Sequence, residues 1–413
     1  MFQLRMRWLI GPILLMFSLA CSDASEPSDA SMPLLLEQGH RYLEDEAYAR
    51  WALEQSLVTH TNGYARLRLA SYTPERWGAL PLWNPPSVAA TSSEAAADKA
   101  TVPAAPEEPA TLAQWVELGR RLFGGYPTQL ASYAKVALRD PELAERFGLW
   151  RSAELGWGGV VWTQLPDGSW ETALTCASCH AAPQDGVLVW GLNNTRLDLG
   201  AWMAQANGDW TSPALGWGPG RVDVTGDGAD NPVAIPDLRP LRHQTHLHRT
   251  GSVRNDPIAL AVRLETLIIT SHNQAVRPPR WVALALALYL WDLGAQPSEA
   301  VEEVQTAAHQ RGRALAEAQC ASCHQPPGWS GPPVALSVVG TDPAVGLSTS
   351  RGTGGYRAPS LRGVGTRRML TASGAVPDLE AMLDPSRDTV GHRFGLTLTP
   401  DERVELLIFL RSL

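Results

Sequence analysis

The chain has 413 residues, 44% of them hydrophobic and 18% charged, and a formal net charge of −8. That length suits two to three domains, and the composition supports a buried core and excludes wholesale disorder. The acidic balance deepens by two once Arg5 and Arg7 of a leader are removed; it argues against non-specific nucleic-acid binding and suits basic partners.

Residues 1–20 read as a signal peptide. Arg5 and Arg7 precede an apolar run from Trp8 to Ala20, which at ~1.5 Å per residue falls short of a ~30 Å hydrocarbon core. Ser18-Leu19-Ala20-Cys21 resembles a bacterial lipoprotein box, in which Cys21 becomes the lipidated N-terminus, although Ser18 stands where a Leu is common. Plain cleavage after Ala20 is the alternative. Ser22 after the cysteine suits sorting to the outer membrane. The expected location is the periplasm, with the membrane reached by the lipid anchor only.

Residues 21–32 form a polar tether without core residues. Residues 33–85 are expected to be a helical segment, with Leu34, Leu35, Leu36, Tyr42, Trp51, Leu53 and Leu57 at mostly helical spacing. Residues 86–110, rich in Ala, Pro, Ser and Glu, read as a flexible linker. Two related units follow, 111–294 and 295–413. The pentapeptide Cys-Ala-Ser-Cys-His occurs at 176–180 and again at 320–324. Gly-Arg-x-Leu precedes each (Gly119 and Gly312), and Pro-x-Leu-Arg follows each (Pro236 to Arg239, Pro359 to Arg362). Gly251 and Val253 match Gly374 and Val376 at the same offset of 123 residues. Both units close on an aromatic-Leu-x-x-Leu helix, from Tyr289 and from Phe409. Four matches in one order read as two copies of one fold, the first enlarged by insertions.

Cys-x-x-Cys-His is the attachment motif of c-type haem. Cys176 and Cys179, and likewise Cys320 and Cys323, are spaced to form two thioethers to one haem, with His180 or His324 held under the iron as axial ligand. A zinc site needs two such pairs converging on one metal, and these are 144 residues apart. A redox dithiol needs a thioredoxin-like βαβ setting that neither copy has. The expected cofactors are therefore two haem c groups.

With these residues the chain resembles the bacterial dihaem cytochrome c peroxidase superfamily. The second unit carries the clearer likeness, in GRALAEAQCASCHQPPG, YRAPSLRGVGTRRMLTASGAVPDLEAMLDP and GHRFGLTLTPDERVELLIFLRSL. The first unit is looser, and its His-Leu-His-Arg-Thr-Gly stretch is similar to a loop of the rubber-oxygenase branch. The resemblance implies a mainly α fold of two cytochrome c-like domains packed face to face, one haem each, beside the N-terminal helical segment.

The sixth iron ligands are open. Relatives often place a Met three residues before the glycine aligned with Gly374; here that position is Thr371, and Met369 is two residues early. Of the four mature methionines, Met32, Met203, Met369 and Met382, only Met369 is weighed as a ligand. His392, in a Gly-His-x-Phe-Gly element, is its rival and the preferred candidate. His272 lies 120 residues before it, the offset of the closing helices. For the first haem the candidates are His272, His248 and His246, with His243 completing a cluster. His246 and His248 are also candidate pocket acid–base groups. Relatives carry a displaceable His soon after the first motif, and none lies between His180 and His243.

Asp223, Asp227, Asp230 and Asn231 are candidate Ca²⁺ ligands in a Gly/Asp-rich loop, where ordinary turn formation is the alternative. Arg239 and Arg362, repeated between the units, are candidates for haem propionates or for structural bonds to backbone. The function expected is that of an exported dihaem cytochrome exchanging electrons between its haems and a redox partner, a small cytochrome or a dehydrogenase. The alternative is a peroxidase-type oxidoreductase acting on H₂O₂ or O₂ at the first haem. A Cys21→Ser variant should move the protein from the membrane fraction to the soluble periplasmic fraction; a wild type already soluble would refute the tether.

Overall fold

The computed structural model describes residues 31–90, 109–153, 155–225, 227–294 and 306–413. The leader, Cys21, most of the tether, the middle of the expected linker and the junction 295–305 lie outside the described residues. Among the described residues helix makes up 42% and strand 15%, so the architecture is mixed rather than mainly α. No helix among the described residues is long and apolar enough to cross a membrane.

Each unit is built on the crossing of an opening and a closing helix. In the first unit these are Leu112–Gly125 and Arg280–Leu293; in the second, Ala307–Gln319 and Pro400–Ser412. The repeated glycine makes the crossing possible. A Cβ on Gly119 would lie 2.0 Å from the Ala285 carbonyl oxygen and 2.6 Å from Tyr289 Cβ. A Cβ on Gly312 would lie 2.0 Å from the Glu405 carbonyl oxygen and 2.9 Å from Phe409 Cβ. The Gly-Arg-x-Leu and aromatic-Leu-x-x-Leu motifs are thus two halves of one contact, made twice. Capping boxes at Thr111/Gln114 and Thr399/Glu402 start one helix of each pair.

The units differ in what surrounds the crossing. The first closing helix is buried along its length from Val282 to Leu290, because helix Pro257–Ser271 and the N-terminal segment cover it. That segment comprises helices Ser31–Glu44, Glu46–Ser56 and Gly63–Ser71 and shares the core of the first unit. A buried carboxylate pins it there. Glu265, 1% exposed, accepts from the Tyr42 hydroxyl at 2.7 Å and the Tyr72 hydroxyl at 2.6 Å, with Arg280 at 3.6 Å. The second closing helix buries one face only, through Leu406, Phe409 and Leu410.

The strand content sits mainly in the first unit. Val160–Gln164 and Trp170–Leu174 form an antiparallel hairpin around Pro166-Asp167-Gly168. Ser87–Ala89 and Gln129–Leu130 add an edge on either side. Ser87–Ala89 falls within the stretch read as linker; Ala90, fully buried beside it, ties that end to the sheet. The two units join through backbone bonds, Ala234 N–H to Ala372 O at 3.0 Å and Arg357 N–H to Arg249 O at 3.0 Å. The Arg221 guanidinium also donates to the Ser373 carbonyl at 2.8 Å.

Gly312→Ala should lower the urea midpoint by an amount corresponding to about 1–3 kcal/mol, the usual cost of overpacking. Gly125→Ala, where nothing lies within 4 Å of an added Cβ, should leave the midpoint nearly unchanged. Equal midpoints for both variants would refute the crossing as the constraint.

Candidate cofactor sites

The hairpin delivers the first Cys-x-x-Cys-His. Strand Trp170–Leu174 runs into Thr175, and residues Cys176–His180 turn once as a helix. Thr175 Oγ1 and Ser178 Oγ donate to the Gly159 carbonyl at 2.9 and 3.2 Å. The Asn194 and Gly191 amides donate to the carbonyls of Cys179 and His180 at 2.9 and 2.8 Å. The turn is held on both sides, so both cysteines and the histidine have fixed directions.

His180 Nδ1 lies 3.0 Å from the carbonyl oxygen of Pro236. A carbonyl only accepts, so Nδ1 carries the proton and Nε2 keeps its lone pair. In the second unit, His324 Nδ1 lies 2.8 Å from the carbonyl oxygen of Pro359. Pro236 and Pro359 are the prolines of the repeated Pro-x-Leu-Arg. Burial drives the His180 and His324 pKa values down to about 4, with His392 adding to the effect at His324; both imidazoles are neutral at ordinary pH. Burial pushes the Cys176 thiol up to about 12, and Cys179 and Cys320 to about 11. Thiols so raised are not the activated thiolates of a redox dithiol.

A cavity opens over the second motif. Cys320, Cys323, His324 and His392 line it, with an apolar remainder including Val334, Leu361 and Leu383. The His324 and His392 ring centres are 6.4 Å apart. Two imidazoles sharing a metal at about 2.0–2.1 Å, each centre roughly 1.1 Å behind its nitrogen, would stand about 6.3 Å apart. His392 Nδ1 is buried without a partner. The His392 backbone, at φ +45°, is held by its own amide donating to Val339 O at 2.7 Å and by Arg387 donating to its carbonyl at 2.8 Å.

Met369 packs elsewhere. A Cβ on Gly220 would lie 2.3 Å from its sulfur, and one on Gly374 3.0 Å from its methyl, which places its side chain between the units. Thr371 and Met382 do line the cavity, so Met382 is the thioether to weigh against His392.

Of the first-unit candidates, His248 has both ring nitrogens engaged. Its Nδ1 meets Ser252 Oγ at 2.7 Å and its Nε2 accepts from Arg263 Nε at 2.5 Å. His246 is half-buried, with Nδ1 3.0 Å from Thr245 Oγ1. His243 Nε2 meets the Gly294 carbonyl at 2.9 Å. His272 repeats the pattern of the proximal histidines: Nδ1 lies 2.8 Å from Ile268 O, and Nε2 is buried without a partner.

The Gly/Asp-rich loop commits its carboxylates separately. Asp223 accepts from Thr225 and from the Asn231 amide, Asp227 from the Ala229 and Ser350 amides, and Asp230 from the Trp217 indole. Among the described residues, no three His, Cys, Asp or Glu side chains gather as a metal site. Arg239 pairs with Asp237 at 2.6 Å; Arg362 is exposed and donates to Pro327 O at 3.1 Å. The cavity is instead faced by Arg249 and Arg357. Neither stood out in a chain rich in arginine, although Arg249 adjoins His248 in the marked His-Leu-His-Arg-Thr-Gly stretch.

No family model matches the chain, and no curated protein does. Among solved structures, a MauG-like protein associated with microbial copper homeostasis is similar, at 18% identity and a TM-score of 0.38, covering 81% of this chain and 94% of that one.

Proposed function

We propose that the chain is an exported dihaem c-type cytochrome, tethered by lipid at Cys21, that moves single electrons between its two haems and a redox partner. The observation that carries this reading is the repeated imidazole. After each Cys-x-x-Cys, a neutral histidine donates Nδ1–H to the carbonyl of the repeated proline, leaving Nε2 for iron. A bound haem supplies reversible one-electron chemistry at its iron. Cys176 and Cys179 hold one haem as thioethers, and Cys320 and Cys323 the other. His180 and His324 are the proximal ligands. His392 is the sixth ligand of the second haem, and the apolar wall of the cavity excludes water from it. His272, with its orphaned Nε2, is the corresponding candidate in the first unit. The partner is a small cytochrome or a dehydrogenase.

A second reading draws on a separate observation. Arg263, bonded to His248, also acts electrostatically on His180 and Cys176. A polar pair so near the first motif suits acid–base assistance to H₂O₂ or O₂ reduction. EPR of the oxidised protein separates the readings: two low-spin haems support electron transfer, whereas one high-spin haem supports the peroxidase type.

Replacing Cys176 and Cys179 together by Ala should remove one haem by pyridine haemochrome, and the Cys320/Cys323 pair the other; a double variant retaining both sinks the reading. His392→Ala should open the sixth site of the second haem and give a high-spin signal. Met369→Leu and Met382→Leu should leave its spectrum unchanged, without a sulfur-to-iron band in the wild type. The reverse pattern would restore a His/Met second haem.

A further inference from the structure

Arg249 and Arg357 meet where the two units join. The Arg357 amide donates to the Arg249 carbonyl at 3.0 Å, and both side chains line the cavity of His324 and His392. Arg249 belongs to the first unit by sequence, and it acts electrostatically on His180 as well. Arg249 donates through Nη2 to Ala234 O at 2.6 Å, but the Nε atoms of Arg249 and Arg357 are buried without partners. Burial lowers the Arg249 guanidinium to about 10 and Arg357 to about 9, so both remain cations at neutral pH.

No carboxylate answers them. Among the described residues lining the cavity there is neither Asp nor Glu. Asp237 is paired with Arg239, and Asp223 is spent on Thr225 and Asn231. Arg367 acts on both His324 and Arg357, and its own charge is offset by Asp237. Taking a cation out of water without a counter-ion is costly, and folded proteins pair such groups. Guanidinium forks match carboxylates two bonds at a time.

We propose that Arg249 and Arg357 form a carboxylate-binding end to this cavity and hold the propionates of the second haem, so that a cation from the first unit completes the pocket of the second. This rests on the dihaem reading. It also makes the second haem sensitive to a residue outside its own unit. A cation beside the propionates favours the reduced iron, so its loss lowers the midpoint potential.

The test is a redox titration of the full-length, haem-loaded protein, followed by EPR to separate the two haems, after a pyridine haemochrome count. Arg249→Met and Arg357→Met should each shift the reduction equilibrium of the second haem tenfold or more toward Fe(III), about 59 mV per tenfold for a one-electron couple. Arg249→Lys and Arg357→Lys keep the charge; they should fold where the Met variants do not, and should shift the potential less. Arg362→Met, at an exposed position, should leave the potential unchanged. Two haems with an unmoved second potential, a shift confined to the first haem, or Lys variants that shift as much as Met, would each overturn this proposal alone. A second unit without haem would overturn it together with the dihaem reading.

Discussion

Which nitrogen of a neutral histidine carries the proton decides which one can bind a metal, and in both units one carbonyl makes the decision. Pro236 and Pro359 accept from the Nδ1–H of the histidine after each Cys-x-x-Cys. The carbonyls are themselves anchored two residues on: the Leu238 amide donates to Gly191 O at 2.8 Å and the Leu361 amide to Trp329 O at 2.9 Å. The Pro-x-Leu segment is therefore stitched to the loop that follows each histidine. A partner fixed on this side also sets the orientation of the ring and the basicity of the opposite nitrogen. The cysteines then need only the short turn that places them one helical turn apart.

This arrangement explains why so much of the site was legible in the sequence. Gly119 with Tyr289, and Gly312 with Phe409, recur because a helix crossing that close admits no Cβ. Pro236 and Pro359 recur because their carbonyls have a fixed task. His272 and His392 recur at the offset of the closing helices, although the two rings have different neighbours: Trp83 stands 4.4 Å from His272, whereas His392 faces His324. A repeat preserves position more faithfully than surroundings, so an offset alone does not say what a side chain meets.

What was illegible came from insertions and from charge. The hairpin Val160–Gln164 and Trp170–Leu174 carries a strand signal, β-branched and aromatic residues around Pro-Asp-Gly, inserted between the repeated helices of the first unit. The N-terminal helices read as a separate segment because their anchor, Glu265, lies some 200 residues away and is an acid inside an otherwise apolar helix. Two tyrosine hydroxyls and Arg280 are what make that burial tolerable. The arginines were hidden for the opposite reason: Arg239 and Arg362 repeat and are structural, whereas Arg249 and Arg357 do not repeat and face the cavity.

The same arginines connect the fold to the proposed cofactor. A domain is stable by roughly 5–15 kcal/mol, and an uncompensated buried cation costs several of those. The cavity adds apolar wall without close-packed neighbours. Both deficits fall in one place, between the crossing of helices Ala307–Gln319 and Pro400–Ser412 and the first unit. A flat apolar group with carboxylates, able to take imidazole at a central iron and thioethers from Cys320 and Cys323, would meet both at once. Binding energy spent there is folding energy. The second unit, whose closing helix buries only one face, has less packing of its own to fall back on than the first, which is covered by the N-terminal helices. Its fold is therefore the more dependent on the proposed haem.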